Sequence, residues 1–548
     1  MTTSDLAAVD QGADRPLASR AQLAALTALL AAHALLVWLS RAPGIATGGD
    51  EARYLLLGQA LRHLRYVEYW QVGWPVHSLY PPAFPLLLAV WGLVAGNGFD
   101  AQIVLSVAIS VAALAAAWYL VARHLSPQLA LLAVAALAFN PALVSRAGTV
   151  ASEIPYALWS LLTLVALLER RTGANAAIAT GLAIVAALTR TAGATLVAAT
   201  ILTLLLQRRF RSAAWATLAA ALALGPWLAW TAVAPNQHVG TSYVADAFAA
   251  AQRQRGFGLA FTLMRRLAQN AAGYAVSVVD ATLPYPDLIP GRADAWAWLV
   301  VAVAGLGAGL VAAWRRWQPV VIYLLLYAAL LLYWPWPVDR FLEPVALLAA
   351  PLWLFGLLTL ARRALTRGWM VPVLVAGGIV ATTSAWISAG QARRQVECRR
   401  GPALPGPGRC LYPAQQDFLA ATVWLRDSSA ADARVLTVKP GDSYWYARRE
   451  AVSFNAATSR SAAPLSQYLR AEHVSYVVLT TVTASERTLL AELLAGACGD
   501  LSVAATVAPQ AYILRVRGAA EADSTNACAA VADYRSAVAD SLRSKRWQ

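Results

Sequence analysis

Ionisable and aromatic side chains gather in four short stretches of a chain that is otherwise strongly apolar. They are Gly48-Gly49-Asp50-Glu51-Ala52-Arg53-Tyr54, a stretch from His77 to the Tyr80-Pro81-Pro82 turn, Ala151-Ser152-Glu153, and Asp339-Arg340-Phe341-Leu342-Glu343-Pro344. A carboxylate such as Asp50, placed at a membrane surface, can take a proton from an acceptor hydroxyl. Arg340, Arg53 and Arg190 can bind phosphate oxygens through two parallel N–H donors and stay charged beside a membrane. Glu153 can orient an acceptor or, with Asp50, hold a divalent cation, although no His lies at ligand spacing from either. Glu51 faces a different side of its helix from Asp50, so the two do not read as a paired dyad and Glu51 is a second candidate base. Tyr54, His77 and Tyr80 are the side chains expected to meet substrate.

Each of these residues also has a plainer reading. Asp50 follows two glycines and precedes an apolar periodicity, so it suits a helix N-cap with Arg53 as its ion-pair partner. Glu153 starts a span, where a carboxylate favours the positive end of the helix dipole. Arg340 can pair with Asp339 or with a carboxylate the sequence does not identify, and Arg190 can snorkel to lipid headgroups.

The elements that must position these side chains are membrane helices. The 548 residues are 59% hydrophobic and 13% charged, with a mean hydropathy of +0.52, which excludes both a soluble globular enzyme and a disordered chain. A net charge of +15 is spread in short Arg clusters between apolar runs and not gathered in one patch, so it reads as a topology signal and not as a nucleic-acid surface. Near-exclusive use of Arg over Lys reads as a high-GC genome's signature, not as mechanism. Eleven runs suit a bilayer core, at about 21-40, 101-122, 127-144, 154-168, 175-190, 192-206, 213-232, 296-313, 319-336, 341-361 and 369-388. Arg15 and Arg20, Arg123, Arg170-Arg171, Arg208-Arg209-Arg211, Arg315-Arg316 and Arg362-Arg363-Arg367 fall at alternate ends, which the positive-inside rule makes cytoplasmic.

Phe84 to Val94 is too short to cross and follows two prolines, so it is expected to lie in or dip into the outer interface. The expected organisation is a cytoplasmic tail over 1-20, a transmembrane catalytic module over 21-389 with its first outer loop at 41-100, and a small extracytoplasmic α/β domain over 390-548. The first run also resembles a signal peptide, but ten further spans behind it favour an uncleaved anchor.

The tail changes character after the Pro/Gly-rich segment Gly401 to Gly408. Segments at 435-438, 451-454, 476-479 and 512-516 read as strands, with amphipathic helices near 415-427, 464-472 and 485-496. All four cysteines, Cys398, Cys410, Cys498 and Cys528, lie in this tail, where an oxidising compartment permits two disulfides. Of three connectivities the sequence-adjacent one, Cys398 with Cys410 and Cys498 with Cys528, is the simplest, with four free thiols as the alternative. No nucleotide-binding loop, metal-protease motif or nucleophile elbow is present in the sequence.

At these stretches the chain resembles the polytopic GT-C glycosyltransferases, the class of the protein O-mannosyltransferases and the aminoarabinose transferases that modify lipid A. Asp50-Glu51-Ala52-Arg53-Tyr54 looks like their Asp-Glu motif, and Tyr80 to Pro85 like the start of their second juxtamembrane helix. Ser152-Glu153 looks like their second acidic site, and Asp339 to Pro344 like an Arg-aromatic-Leu-x-Pro stretch of bacterial members. The resemblance spans about residues 20-390. It implies a membrane enzyme moving a sugar, hexosyl or pentosyl, from a polyprenyl-phosphate donor to an extracytoplasmic glycan, lipid or protein acceptor with inversion, Asp50 acting as base, in the plasma (inner) membrane. Two departures stand out: Tyr80 occupies the place of the lysine of the aminoarabinose transferases, and Glu153 is single where mannosyltransferases have Glu-x-Glu. A transporter would instead show broken charged helices at the bilayer midplane and an internal repeat, and a polymerase or ligase using a lipid-diphosphate donor would show more outward cations.

Overall fold

In the computed structural model the described residues are 17–45, 50–169, 172–234, 259–282, 292–334, 339–364, 370–400, 411, 413–453, 465–480, 482, 484–508, 511–517 and 527–544. The membrane part comprises α1 (Arg20–Ser40), α2 (Glu51–Leu61), α3 (Ala83–Ala95), α4 (Phe99–His124), α5 (Pro127–Ala138), α6 (Pro141–Ala147), α7 (Glu153–Leu168) and α8 (Gly173–Thr189). It continues through α9 (Ala194–Leu206), α10 (Phe210–Val233), α11 (Leu259–Thr282), α12 (Arg292–Ala313), α13 (Gln318–Tyr333), α14 (Glu343–Ala364) and α15 (Met370–Arg400). Local sequence starts several of them. Ser19 and Gln22 form a reciprocal capping box on α1, and Ser126, Asn140 and Thr172 cap α5, α6 and α8 through their side chains.

This is a multi-pass membrane protein. Among the described residues four helices, α1, α4, α10 and α14, are individually long and apolar enough to cross a membrane, and α3, α7, α8, α9, α13 and the apolar part of α12 are shorter apolar helices. The run at 127-144 is not one straight span: Asn140-Pro141 breaks it into α5 and α6, bent by 66°, because proline lacks the amide the helix needs and disfavours a helical residue before it. The final run does not stop at 388 either, since α15 continues to Arg400. Amphipathic α11 has no counterpart among the apolar runs; its Asn270 donates to the carbonyls of Leu331, Leu332 and Trp334 at the end of α13, supplying partners that the end of a helix otherwise lacks.

Glycine permits two close approaches. A Cβ on Gly309 or Gly356 would collide with the facing backbone, so α12 and α14 pack at backbone distance in the small-residue manner of membrane helices. A Cβ on Gly193 would strike the backbone of Ala186 and Ala187, and its absence lets the chain turn from α8 into α9 within one 3-10 turn, which aims Arg190.

The C-terminal region holds α16 (Pro413–Ser428), β1 (Arg434–Thr437), α17 (Pro440–Ala447), β2 (Ala451–Ser453), α18 (Leu465–Ala471), β3 (Val474–Leu479), α19 (Ala484–Ala495), β4 (Leu501–Ala508), β5 (Ala511–Val516) and α20 (Cys528–Ser544). The sheet order is β2-β1-β3-β5-β4, with β1 parallel to β2 and β3, and β5 antiparallel to β3 and β4. The segments read as strands fall on β1, β2, β3 and β5; β4, α17 and α20 are additional. Cys498 and Cys528 are bonded, and Cys398 is also disulfide-bonded, while Cys410 lies outside the described residues.

The segment between α2 and α3 and this sheet are joined. Residues 70 to 72 lie along the β2 edge, where Ala451 donates to the Trp70 carbonyl at 2.9 Å and Val72 donates to the Ala451 carbonyl at 3.2 Å, so the edge is paired and not open. Tyr446 donates to the Ile45 carbonyl at 3.0 Å, and α17 packs on α2.

Candidate active site

The two glycines before Asp50 lie outside the described residues, but Asp50 itself stands at the head of α2 with no capping bond from its side chain. The carboxylate is turned elsewhere: Tyr80 donates its hydroxyl to Oδ1 at 2.7 Å and Arg340 donates to Oδ2 at 3.0 Å. The Asp50 side chain therefore makes no N-cap bond, and Arg340 has a carboxylate partner far along the chain. Arg340 bridges two carboxylates, since its Nε is 3.8 Å from Glu153. Between Asp50 and Glu153, read as able to hold a divalent cation together, stands the Arg340 guanidinium. Among the described residues no three or more His, Cys, Asp or Glu side chains are placed to hold a metal ion.

Arg190 does not snorkel. Its NH1 lies 2.6 Å from Glu153 and donates to Ser152 Oγ at 2.9 Å, and Ser152 in turn meets the Tyr54 hydroxyl at 3.0 Å. Glu153, 3% exposed at the first turn of α7, is therefore the counter-ion of two arginines and more than a helix-dipole partner. A buried carboxylate in this position is stabilised by the guanidiniums that reach it.

Asp50, Arg340, Arg190, Tyr54 and Tyr80 line one pocket, together with Tyr327 and Phe341. Burial by itself would raise the Asp50 carboxyl, but the charges of Arg340 and Arg53, the Tyr80 hydroxyl and Lys439 outweigh it and hold the carboxyl down at about 2. Desolvation would lower Arg340, yet Asp50 and Glu153 raise it, so both partners are firmly charged. Burial also raises the Tyr54 hydroxyl well above its usual value, which leaves it neutral. Arg340 Nε is buried without a hydrogen-bond acceptor, a donor left over for a ligand.

Besides Glu153, three expected site residues stand back from the pocket. Glu51 is buried and accepts from the Val150 backbone at 3.1 Å, tying α2 to the segment that leads to Glu153. His77 is 0% exposed: Nδ1 meets Glu68 at 2.5 Å and Nε2 accepts from the Tyr80 backbone at 2.8 Å, so it fixes the turn that presents Tyr80. Arg53 donates to the Tyr80 hydroxyl at 3.4 Å and supports Asp50 from behind. Sequence reasoning did not find Glu68, an isolated carboxylate without motif, or Tyr327, which reads as one more aromatic residue of an apolar span. Lys439 gave a signal that was passed over, a lone lysine at the end of a strand.

A second cavity adjoins the first, and Tyr327 and Leu331 line both. Its remaining wall is aliphatic, with Leu306, Leu342 and Ala346 among its residues.

No model of a known protein family matches the chain, and no curated protein matches it in sequence. Solved structures do match. The oligosaccharyltransferase AglB of Archaeoglobus fulgidus, solved with an inhibitory peptide and a dolichol-phosphate, aligns over 83% of this chain and 69% of its own at 14% identity and a TM-score of 0.51. ArnT of Cupriavidus metallidurans, solved with undecaprenyl phosphate, aligns over 90% of this chain and 98% of its own at 14% identity and a TM-score of 0.51. These are GT-C glycosyltransferases, and the fold of this chain is the GT-C fold.

Proposed function

We propose that the protein is a membrane glycosyltransferase that moves a sugar from a polyprenyl-phosphate donor to an extracytoplasmic acceptor with inversion. The observation that carries this reading is the junction of two cavities: a polar pocket holding Asp50, Arg340 and Arg190 opens beside an aliphatic one. A lipid phosphate needs both, a cationic seat for its head and an apolar channel for its tail. AglB and ArnT, with the same fold, were solved with lipid phosphates of this kind, dolichol-phosphate and undecaprenyl phosphate.

In the proposed reaction the acceptor hydroxyl oxygen attacks the anomeric carbon from the face opposite the phosphate, and the bond from that carbon to the phosphate oxygen breaks. Asp50 takes the hydroxyl proton. Each of its oxygens is already held by one donor, Tyr80 or Arg340, so the carboxylate is oriented, and an acceptor remains on each oxygen for the proton. A carboxyl at about 2 is a weak base, which suits proton transfer late in the reaction, after the sugar-phosphate bond has loosened. Arg340, with Nε still free of a hydrogen bond, and Arg190 balance the charge that grows on the leaving phosphate. Glu153 keeps both arginines aimed. Tyr54 and Tyr80 form the wall against which the sugar rests.

The proposal extends to eleven crossings with the Arg clusters cytoplasmic, and to a transmembrane module over 21-389 carrying an extracytoplasmic α/β domain over 390-548. Comparison of envelope glycans by mass spectrometry in a deletion strain, complemented with wild type or Asp50→Asn, tests the function. Loss of one glycosyl residue that only wild type restores is expected; an unchanged glycan profile would contradict it.

A further inference from the structure

We propose that Lys439, from the C-terminal region, is a phosphate-binding residue of the same site, so that the sheet region completes the active site as well as covering it. This rests on the glycosyltransferase reading above. Only two of the 44 lysine and arginine residues are lysine, Lys439 and Lys545, so a lysine at this position departs from the chain's own usage. Lys439 ends the turn after β1 and precedes α17, whose backbone is pressed onto α2: a Cβ on Gly441 would lie 3.2 Å from Arg53 Cγ and 3.7 Å from Ala52 Cβ. The turn is fixed, because the Lys439 carbonyl accepts from Ser443 at 2.9 Å and Pro440 starts the helix.

The side chain is half-buried and, among the described residues, makes no ion pair or side-chain hydrogen bond, yet it is near enough to Asp50 to favour the charged carboxylate. The arginines nearby are tied to partners, although Arg340 Nε still lacks a hydrogen-bond acceptor: Arg340 to Asp50 and Glu153, Arg190 to Glu153, Arg53 to the Tyr80 hydroxyl. A sugar linked to a lipid through a phosphodiester carries one negative charge, and the departing monoester gains a second. An ammonium on a flexible stem can follow that charge as it forms, adding to what Arg340 and Arg190 supply from fixed positions.

The test measures binding of undecaprenyl phosphate to the full-length protein in detergent by native mass spectrometry, which needs no knowledge of the sugar. Lys439→Met should weaken binding about tenfold, and Lys439→Cys should regain most of it after alkylation with 2-bromoethylamine, which rebuilds an ammonium of nearly the same length. Arg340→Ala is the control for the reading beneath. If Arg340→Ala weakens binding while Lys439→Met stays within twofold of wild type, Lys439 is not a phosphate ligand. If the alkylated cysteine variant remains as weak as Lys439→Met, the lysine matters to packing and not to charge, and the proposal is overturned. If wild type does not bind the lipid, or Arg340→Ala leaves binding untouched, the donor-site reading itself fails.

Discussion

Replacing Asp50 by Asn separates the roles this side chain plays. Asn is the same size and keeps an oxygen for the Tyr80 hydroxyl, but it offers an amide where Arg340 now donates to Oδ2, and it cannot take a proton at neutral pH. The stability cost follows from the electrostatics. Lowering the carboxyl from 3.8 to about 2 corresponds to roughly 2 kcal/mol of preferential interaction with the charged form, less what solvent screens at a side chain that is 26% exposed. That is a modest loss for a protein with so extensive a buried core, so the variant should purify folded. Loss of the general base should lower transfer by about two to four orders of magnitude. The assay follows label from the native polyprenyl-phosphate sugar pool into acceptor in proteoliposomes, with thermal unfolding and undecaprenyl phosphate binding measured on the same preparations. Transfer within threefold of wild type would refute the role of Asp50 as base. A parallel collapse of lipid binding and transfer would show instead that Asp50 serves only to hold Arg340.

Arg340→Lys should lose most transfer, at least tenfold, because one ammonium cannot reach Asp50, Glu153 and a phosphate together; full activity with an unchanged KM for donor would reduce Arg340 to an anchor. The pH profile should show no acid limb from Asp50 between about pH 5 and 8, since its lowered carboxyl stays ionised there. Its contribution to stability is present above the unfolded value near 4 and fades only as pH falls through about 2, so an acid limb near pH 6 that Tyr80→Phe displaces would contradict the assignment. His77→Ala should act through Tyr80, lowering kcat with donor binding retained; a rise in donor KM alone would mean that His77 meets substrate after all. A reporter enzyme active only outside the cytoplasm, fused near residue 400, should be active, and activity only of a cytoplasmic reporter there would reverse the orientation.

The apolar runs were legible because a bilayer demands about twenty apolar residues in succession, and most of the described helices fall where those runs lie. The break at Asn140-Pro141 was legible in principle from the proline, but an unbroken apolar composition hid it. Amphipathic α11 was missed because only part of its surface is apolar, and β4 because its Ala, Ser and Thr residues lack the alternation of a half-buried strand. In the site, Asp50, Glu153, Arg190 and Arg340 were found one by one as charges where charge is costly, and each had a local partner to explain it away. Their true partners lie far along the chain: Asp50 meets Arg340 across 290 residues, a pairing no local spacing encodes. His77 and Glu51 looked like site residues for the same reason, polar groups in an outer loop, but both are spent on backbone amides that the turns would otherwise leave unpaired.

The central claim is that the two adjoining cavities receive one lipid phosphate. A cryo-electron microscopy structure of the protein with undecaprenyl phosphate tests it most directly. The account predicts the phosphate within hydrogen-bonding distance of Arg340 Nε, with the prenyl chain running past Tyr327 and Leu331 into the cavity walled by Leu306, Leu342 and Ala346. A phosphate bound away from Arg340, or a prenyl chain on another face of the helices with that cavity left empty, would contradict it.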